Sequence, residues 1–405
     1  MARALSQPET LAFGCRLNSA EADTMASLAA AGGLSHALIV NTCAVTAEAE
    51  SQARQAIRRA AREAPGRPII VTGCAATLAP ASWAALPGVT RVLGNTEKLQ
   101  PQSWGAPDTP TPPAATRTRA RAFLEVQQGC DHHCTFCVIR LARGPSRIWA
   151  LDDVLGATRQ AVARGQQEVI LTGVDLASWQ DGPAGLAALV RGCLGVPGLA
   201  RLRLSSLDPA AVGADMLALW RDEARLAPFL HLSAQHGDGL ILKRMRRRHG
   251  PDTVPELAEA ARAARPDMAL GADLIAGFPT EEAGHHAASL ALIEALRPAQ
   301  LHVFPYSARP GTAAARLPAL APPVVAARAA ALRAAGQRHA HAAAAARIGC
   351  IEQAIFDSST EATTAQGLRL RLTSGEVPRG ALLALRVMAT DGAVLLAEEA
   401  QNGVA

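Results

Sequence analysis

The stretch Gly129-Cys130-Asp131-His132-His133-Cys134-Thr135-Phe136-Cys137 places three thiols at C-x3-C-x2-C spacing on one short loop. Three thiolates can wrap one corner of a four-iron–sulfur cube, which leaves one iron without a protein ligand. An iron with a free position can hold a small molecule, so the loop reads as a reaction site and not only an electron carrier. Zinc is the competing reading, since Cys134 and Cys137 with His132 or His133 have the spacing of a zinc knuckle. Structural zinc needs four ligands, usually as two close pairs, and the sequence offers no second close pair. The two histidines read as loop residues rather than ligands.

The residues that follow set the fold. Six candidate strands recur over 122–128, 168–173, 201–206, 229–234, 270–277 and 300–306. Helical stretches separate them over 151–164, 211–225, 252–264 and 284–296. Alternation of this kind predicts an α/β architecture with a central partial (β/α)6 barrel. Polar and glycine-containing turns follow the strands, at Gly129-Cys130, Thr172-Gly173, Ser205-Ser206, Gln235, Gly277-Phe278-Pro279 and Tyr306-Ser307. Barrel enzymes carry their sites at that end. Six strands do not close an eight-stranded barrel, and a side opening would admit a bulky substrate.

Upstream, one pattern occurs three times. Leu11-Ala12-Phe13-Gly14 leads to Cys15, Ala37-Leu38-Ile39-Val40-Asn41-Thr42 to Cys43, and Ile69-Ile70-Val71-Thr72-Gly73 to Cys74. Each apolar run reads as a buried parallel strand, with helices over 18–32 and 48–64 between them. Ligands of open α/β sheets bind beyond the carboxyl ends of the strands. The three cysteines can therefore converge into a second site, again one ligand short of four. Three unrelated core cysteines are the alternative. Cys193, in an apolar helix, and Cys350, in a predicted strand, read as core residues.

Residues 100–118 are rich in Pro and Thr and read as a linker. Residues 322–347 read as an Ala/Arg-rich helix. Beyond them, β-prone runs over 351–356, 368–372, 382–388 and 393–397 suggest a small antiparallel β-barrel of the oligonucleotide-binding (OB-like) kind. The expected domains are an N-terminal open parallel α/β sheet (1–99), the linker (100–118), the barrel with its trailing helix (119–347) and the small barrel (348–405).

The chain has 405 residues, 49% of them hydrophobic, and a formal charge of +5. No stretch of about eighteen uncharged apolar residues offers a membrane span, and residues 1–10 lack an apolar signal segment. A cytoplasmic protein with no membrane partner is expected, where reduced thiols suit metals better than disulfides. Lys98 and Lys243 are the only lysines among 40 basic residues. Arginine reads phosphate bidentately, although a GC-rich genome produces the same bias. The run Lys243-Arg244-Met245-Arg246-Arg247-Arg248-His249 is either a solvated helix face or a nucleic-acid contact. Arg140, Arg143 and Arg147 follow the cysteine loop and could meet phosphates or a cofactor carboxylate. From Arg347 onward five Arg face seven Asp plus Glu, so RNA binding there would need a local patch or shape recognition.

With C-x3-C-x2-C at the head of a partial barrel, nearly the whole chain resembles the radical S-adenosylmethionine methylthiotransferase family. It is most similar to the MtaB-type branch, which acts on threonylcarbamoyladenosine in tRNA. The resemblance rests on Gly14-Cys15-Arg16-Leu17-Asn18, Asn41-Thr42-Cys43-Ala44-Val45-Thr46, Thr72-Gly73-Cys74 and Arg201-Leu202-Arg203-Leu204-Ser205-Ser206. It rests also on Lys243-Arg244-Met245-Arg246-Arg247-Arg248 and His302-Val303-Phe304-Pro305-Tyr306-Ser307.

It implies two 4Fe-4S clusters, one on Cys130, Cys134 and Cys137 and one on Cys15, Cys43 and Cys74. It also implies S-adenosyl-L-methionine, a TRAM barrel at the carboxyl end, a tRNA substrate, an electron donor such as flavodoxin or ferredoxin, and a monomer. The first cluster would cleave the cofactor reductively to a deoxyadenosyl radical, because an adenine C2–H bond is beyond any side-chain base. The second would present the sulfur, methylated by another cofactor molecule. By motif position Thr172 and Gly173 should contact the cofactor amino group. Ser206 and Gln235 should lie near its ribose and carboxylate, and Gly277 should let the backbone approach its adenine.

Three stretches depart from the family pattern. Leu-Gln-Ser-Gly stands here as Ala234-Gln235-His236-Gly237, Phe-Pro-Gly-Glu as Phe278-Pro279-Thr280-Glu281, and the Pro-Tyr before Ala-Arg-Gly as Arg140-Leu141. A threonylcarbamoyl group carries a carboxylate, so at least one arginine should pair with it. Competing functions are methylthiolation of isopentenyladenosine in tRNA or of a ribosomal-protein aspartate, and a non-catalytic iron–sulfur sensor or RNA-binding scaffold.

Overall fold

Runs of aliphatic and β-branched residues set the first sheet. In this computed structural model, which describes residues 8–108, 113, 115, 116 and 119–400, β1 (Glu9–Ala12), β2 (Leu38–Thr42) and β3 (Ile69–Gly73) lie parallel in sequence order. Every residue of β2 and β3 is buried. Helices α1 (Arg16–Ala31) and α2 (Ala47–Glu63) connect them, and α3 (Cys74–Leu78) and α4 (Pro80–Ala84) follow. A fourth parallel strand, β4 (Val89–Val92), was not expected from the sequence. It is short and only half-buried, so its apolar signal is weak.

The expected linker is partly structured. Trp104 is buried with the N-terminal core, and its indole N–H donates to Lys98 O at 2.8 Å. Residues 109–112, 114, 117 and 118 of that stretch lie outside the described residues.

The central strands fall where the alternation put them. They are β5 (Ala122–Glu125), β8 (Glu168–Thr172), β11 (Arg201–Leu204), β12 (Phe229–Gln235), β13 (Ala269–Ala276) and β14 (Gln300–Pro305). Small hairpins β6 (Gln127–Gln128)/β7 (Arg147–Ile148) and β9 (Gln180–Asp181)/β10 (Ala184–Gly185) interrupt them. Parallel pairing builds two three-stranded sheets, ordered β5-β8-β11 and β12-β13-β14. Single parallel bridges, Leu202 with Leu226 and Leu207 with Leu232, join the halves. No pairing joins β5 to β14 among the described residues, so the barrel stays open.

Around it lie α5 (Ile139–Arg143), α6 (Leu151–Ala163), α7 (Leu186–Leu194), α8 (Ala214–Asp222), α9 (Gly239–Arg244), α10 (Thr253–Ala264), α11 (Ala283–Leu296) and α12 (Pro322–Ala345). Strand alternation sends Leu124, Leu171, Leu204, Leu232, Leu274 and Val303 into the core beneath these helices. The alternate residues line the barrel interior. Helix α1 of the N-terminal unit packs against the open edge strand, where Ala20, Phe123 and Ile170 form a buried cluster.

The carboxyl-terminal strands β15 (Ile351–Phe356), β16 (Glu361–Thr364), β17 (Arg369–Leu372), β18 (Leu382–Asp391) and β19 (Val394–Glu399) close into a barrel. Two details correct the sequence reading. β16 was not expected, and β17 pairs with β19 in parallel while the other pairs are antiparallel. This barrel docks on the amino-terminal ends of the core strands. Arg203 donates to Thr364 O (2.9 Å), Arg201 to Gln353 O (3.0 Å), and Arg121 forks onto Asp357 (2.9 and 3.0 Å). It therefore sits at the opposite end of the core strands from the cysteine loop. Cys193 is buried as expected, but Cys350 lies just before β15 and is only half-buried, so it is not a core residue. No described helix is long and apolar enough to cross a membrane.

Candidate functional site: two facing groups of three thiols

Each N-terminal thiol sits just past a strand. Cys15 caps α1, Cys43 follows β2, and Cys74 begins α3. Gly14 has φ +84°, and a Cβ there would lie 2.4 Å from Cys43 Sγ, so only glycine lets the two loops meet. The flanking polar residues pin these loops. Asn18 Nδ2 donates to Phe13 O (2.7 Å) and Thr42 O (3.1 Å), and Asn41 Nδ2 donates to Asn18 O (3.1 Å). Thr42 Oγ1 donates to Thr72 O (2.7 Å) and accepts from Ala76 N (3.0 Å). Backbone N–H of Val45 points at Cys43 Sγ (3.4 Å), and Asn95 Nδ2 at Cys74 Sγ (3.6 Å).

The second group occupies the loop between β6 and α5. Gly129, φ +72°, passes so close to the next turn that a Cβ would lie 1.9 Å from Pro145 O. Gln127 ties this loop to the turn after β8. Its Nε2 donates to Gly129 O and Ser146 Oγ (both 2.9 Å), and its Oε1 accepts from Val174 N (2.9 Å) and Asp175 N (2.8 Å). Main-chain N–H groups of His132 and Ile139 face Cys130 Sγ and Cys137 Sγ, both at 3.4 Å. Arg247 Nη1 reaches Cys134 Sγ at 3.7 Å. The ring of His132 lies 2.7 Å from Asp175, poorly aligned for a hydrogen bond, and His133 lies against Arg140.

The two groups share one packed face. Val138, Ala142 and Ile139, which follow Cys137, are part of the N-terminal core around Cys74. Asn95 Nδ2, beside Cys74, also donates to Ala142 O at 2.7 Å. Cys74 adds slightly to the rise of the Cys137 thiol. Burial raises the thiols of Cys43 and Cys130 to about 11 and that of Cys137 to about 12. Without metal they are protonated at neutral pH, and a metal must displace those protons. Two sets of three soft thiol donors, each carried on loops past strand ends, are the donor chemistry of iron–sulfur clusters with one iron free.

A buried ion cluster underlies this face. Glu21 of α1 receives Arg143 Nη1 (2.7 Å) and Lys98 Nζ (2.6 Å), and all three side chains are almost wholly shielded from water. Burial by itself would raise Glu21, but the two cations outweigh it and hold the carboxyl at about 2. Arg143 Nη2 adds a bond to Asn18 Oδ1 (2.7 Å). Beside them Glu125 accepts from Gln128 Nε2 (3.1 Å), and its other oxygen has no partner. Burial, with Glu21 nearby, raises Glu125 to about 7.

The residues expected at the cofactor all lie at the carboxyl ends of the core strands. Thr172 ends β8, with its hydroxyl turned to Ile170 O (3.2 Å), and Gly173 backs onto Gln127. Ser206 is half-buried, whereas its neighbour Ser205 is buried with its hydroxyl unpaired. Gln235 ends β12 with φ +68°, at a break in the β12–β13 register. Gly277 has φ +75°, but a Cβ there would meet Val325 Cγ2 of α12 at 2.7 Å, so this glycine admits a helix side chain.

Thr280, where the family pattern has glycine, takes φ +70°, a strained conformation for a β-branched residue. Its hydroxyl and carbonyl accept from Arg244 Nη1. His236 is fully buried beside Glu281, whose carboxylate accepts from Gly277 N (2.8 Å) and Arg328 (2.8 Å).

The basic run is neither a simple helix face nor a free patch. Helix α9 ends at Arg244, and Arg246 turns left-handed at φ +57°. Arg247 bonds Ser233 O, Asp208 and Cys134, and Arg248 bonds Asp208. Lys243 and Arg246 remain exposed.

Sequence reading missed Glu21, Lys98, Asn95, Gln127 and Arg247 as supports of the site. It also missed the charged barrel interior, where Arg201 and Arg203 grip Glu168, and His231 and His302 both lie 3.0 Å from Asp273. Polar residues at alternate positions of otherwise apolar strands were the available signal.

A partial barrel headed by a three-thiol loop defines a protein of the radical S-adenosylmethionine class. The Radical SAM superfamily model matches residues 124–293, and the Uncharacterized protein family UPF0004 matches residues 9–94. The chain is 40% identical over 328 residues to the threonylcarbamoyladenosine tRNA methylthiotransferase MtaB of Rickettsia prowazekii, covering 76% of this chain and 78% of that protein. Identity to MtaB of Thermotoga maritima is 34%, covering 75% and 76%. Identity to the tRNA-2-methylthio-N(6)-dimethylallyladenosine synthase of Paracoccus denitrificans is 33%, covering 76% of each. The chain belongs to the radical S-adenosylmethionine methylthiotransferase family. Among solved structures, the radical S-adenosylmethionine methyltransferase TsrM from Kitasatospora setae superposes with a TM-score of 0.54 at 15% identity. It covers 74% of this chain and 68% of that one, a likeness of fold.

Proposed function

We propose that this enzyme is a tRNA methylthiotransferase that converts N6-threonylcarbamoyladenosine beside the anticodon to its 2-methylthio derivative. The observation that carries the reading is the shared face of the two thiol groups, where Asn95 bonds both Cys74 and the helix that follows Cys137. Cys130, Cys134 and Cys137 would hold one 4Fe-4S cluster, and Cys15, Cys43 and Cys74 the other. When bound, these clusters and S-adenosyl-L-methionine supply the radical and sulfur-transfer chemistry that an unactivated ring C–H bond demands.

The protein's own part is positioning. Gln127 fixes the first thiol loop against Gly173. Thr172, Ser206, Gln235 and Gly277 line the strand ends where the cofactor would lie. Phe136 joins the apolar cluster of Ile241, Met245 and Phe278 that walls off water. The relatives' names supply the substrate. The more similar ones act on threonylcarbamoyladenosine, and the dimethylallyladenosine enzyme at 33% identity marks the second reading.

The remaining parts of the proposal are a methylthiotransferase unit over 1–99, a linker over 100–118, a radical core over 119–347 and a TRAM barrel over 348–405. The enzyme would be monomeric and cytoplasmic, with a flavodoxin or ferredoxin as electron donor. Exposed Lys243 and Arg246 would meet the RNA.

Nucleoside mass spectrometry of a strain lacking the protein should show loss of 2-methylthio-threonylcarbamoyladenosine and accumulation of its unthiolated precursor. An unchanged profile would refute the reading, and loss of the isopentenyl derivative would transfer it to the second. Cys134→Ala should abolish release of deoxyadenosine from the cofactor. Cys43→Ala should retain that release and block methylthiolation. Identical failure of both variants would overturn the division of labour.

A further inference from the structure

We infer that Arg16 is the residue that receives the carboxylate of the substrate's threonylcarbamoyl group; the inference rests on the substrate reading above. Arg16 is the first residue of α1, next to Cys15, on the helix that packs against the open edge strand β5. Its guanidinium extends over the inward-facing ring of Phe123, 6.0 Å from the centroid. Its side chain is exposed, and partial desolvation, with Arg203 and Arg121 nearby, lowers its pKa against the opposing pull of Glu168 and Asp273. These properties describe an exposed side chain that reaches over the ring of an edge strand.

The charged groups that act on it, Arg203, Arg121, Glu168 and Asp273, are already matched. Glu168 is held by Arg201 (3.2 Å) and Arg203 (2.7 Å), and Asp273 lies 3.0 Å from both His231 and His302. Arg121 is engaged by Asp357 at 2.9 Å. Arg16 alone in this group makes no hydrogen bond or ion pair among the described residues. The first turn of α1 carries no acidic residue, and no side chain caps it. The helix amino terminus and the unpaired Arg16 guanidinium therefore leave positive charge here without a counter-charge.

One carboxylate would supply the missing counter-charge, and the arginine fork matches it with two parallel bonds. The position also suits the reaction. Arg16 directly follows Cys15, a ligand of the thiol group assigned to sulfur delivery. Arg119 also approaches Phe123, at 5.5 Å, and is exposed as Arg16 is, but it precedes β5 and does not adjoin a thiol in the sequence.

The test measures anaerobic binding of two anticodon stem–loop RNAs to the full-length, cluster-loaded protein. One RNA carries threonylcarbamoyladenosine and the other its carboxyl methyl ester. Wild type should favour the acid by roughly ten- to a hundredfold, the range of a charge-assisted hydrogen bond. Arg16→Gln should reduce that ratio to about one, Arg16→Lys should retain part of it, and Arg119→Gln should leave it unchanged.

A wild-type ratio of one would mean that no carboxylate is read, and would overturn the substrate reading with the inference. A normal wild-type ratio that survives Arg16→Gln would overturn the inference alone. Equal weakening of both RNAs by Arg16→Gln would assign Arg16 to backbone phosphate and overturn it likewise. Collapse of the ratio in Arg119→Gln would move the role to that residue. If Arg16→Gln fails to fold, the ratio in Arg16→Lys decides: an undiminished ratio overturns the inference, and an intermediate one supports it.

Discussion

Arg143 Nη1 donates to Glu21 Oε1 across 2.7 Å, between the helix that follows the cysteine loop and the first helix of the N-terminal unit. Neither side chain reaches solvent to any useful degree. The bond therefore acts as an orientation constraint between the two thiol groups. Buried charges of this kind add little net stability, but breaking them leaves an uncompensated ion.

Glu21→Gln strands Arg143 and Lys98 without their shared counter-charge. A loss of about 3–5 kcal/mol at neutral pH is expected. The wild-type carboxyl, held at about 2, lies below that of an exposed glutamate at about 4.3. Its contribution is thus complete above the unfolded value and is lost as pH falls toward the folded one. Unfolding of both proteins measured from pH 7 down to pH 2 should show a gap that narrows in that window. A constant or absent gap would contradict the assignment.

Glu125 has the opposite sign. Burial and Glu21 raise it to about 7, so between about 4.3 and 7 the folded chain holds a proton that the unfolded chain has released. Its contribution is favourable at low pH and disappears as pH rises through this range. Glu125→Gln should be near neutral at pH 4 and stabilising at pH 8, by on the order of 1–3 kcal/mol. Thermal midpoints at the two pH values check this; a variant less stable at pH 8 would show that the charged carboxylate is wanted.

Gly14→Ala drives a methyl group against Cys43 Sγ. The N-terminal thiol loops must separate, while the core loop is untouched. The purified variant should carry about half the iron and sulfide of wild type and keep reductive cleavage of the cofactor. Full iron content would show that the loops close differently.

Arg247 donates toward Cys134 Sγ, and hydrogen bonds to the sulfurs are among the factors that set a cluster's potential. Removing a cationic donor destabilises the reduced, more negative cluster. Arg247→Met should make the potential of the core cluster more negative and leave that of the N-terminal cluster unmoved, as read by potentiometric electron paramagnetic resonance. Equal shifts in both signals would place the effect elsewhere.

The six core strands, the helices between them and both thiol triplets were legible because each is a local matter. Hydrophobic period, β-branched runs and cysteine spacing are written within a few residues of one another. The short half-exposed strands β4 and β16 escaped because four residues of mixed polarity carry too little periodicity to stand out. The division of labour within the basic run was hidden for a different reason: its charge is visible in sequence, but the partners of Arg247, namely Asp208, Ser233 and Cys134, are not.

By itself the sequence determined that this chain holds two groups of three thiols, each past a strand and each lacking a fourth ligand. Only the tertiary structure decided that the groups face each other and that the small C-terminal barrel lies at the far end of the core. It also decided that Arg16 reaches over the ring of Phe123, without a hydrogen bond or ion pair among the described residues. Those relations join residues over a hundred positions apart, such as Glu21 with Arg143 and Cys134 with Arg247. They follow from how sheets and helices pack as bodies, a geometry that no local pattern of residues encodes.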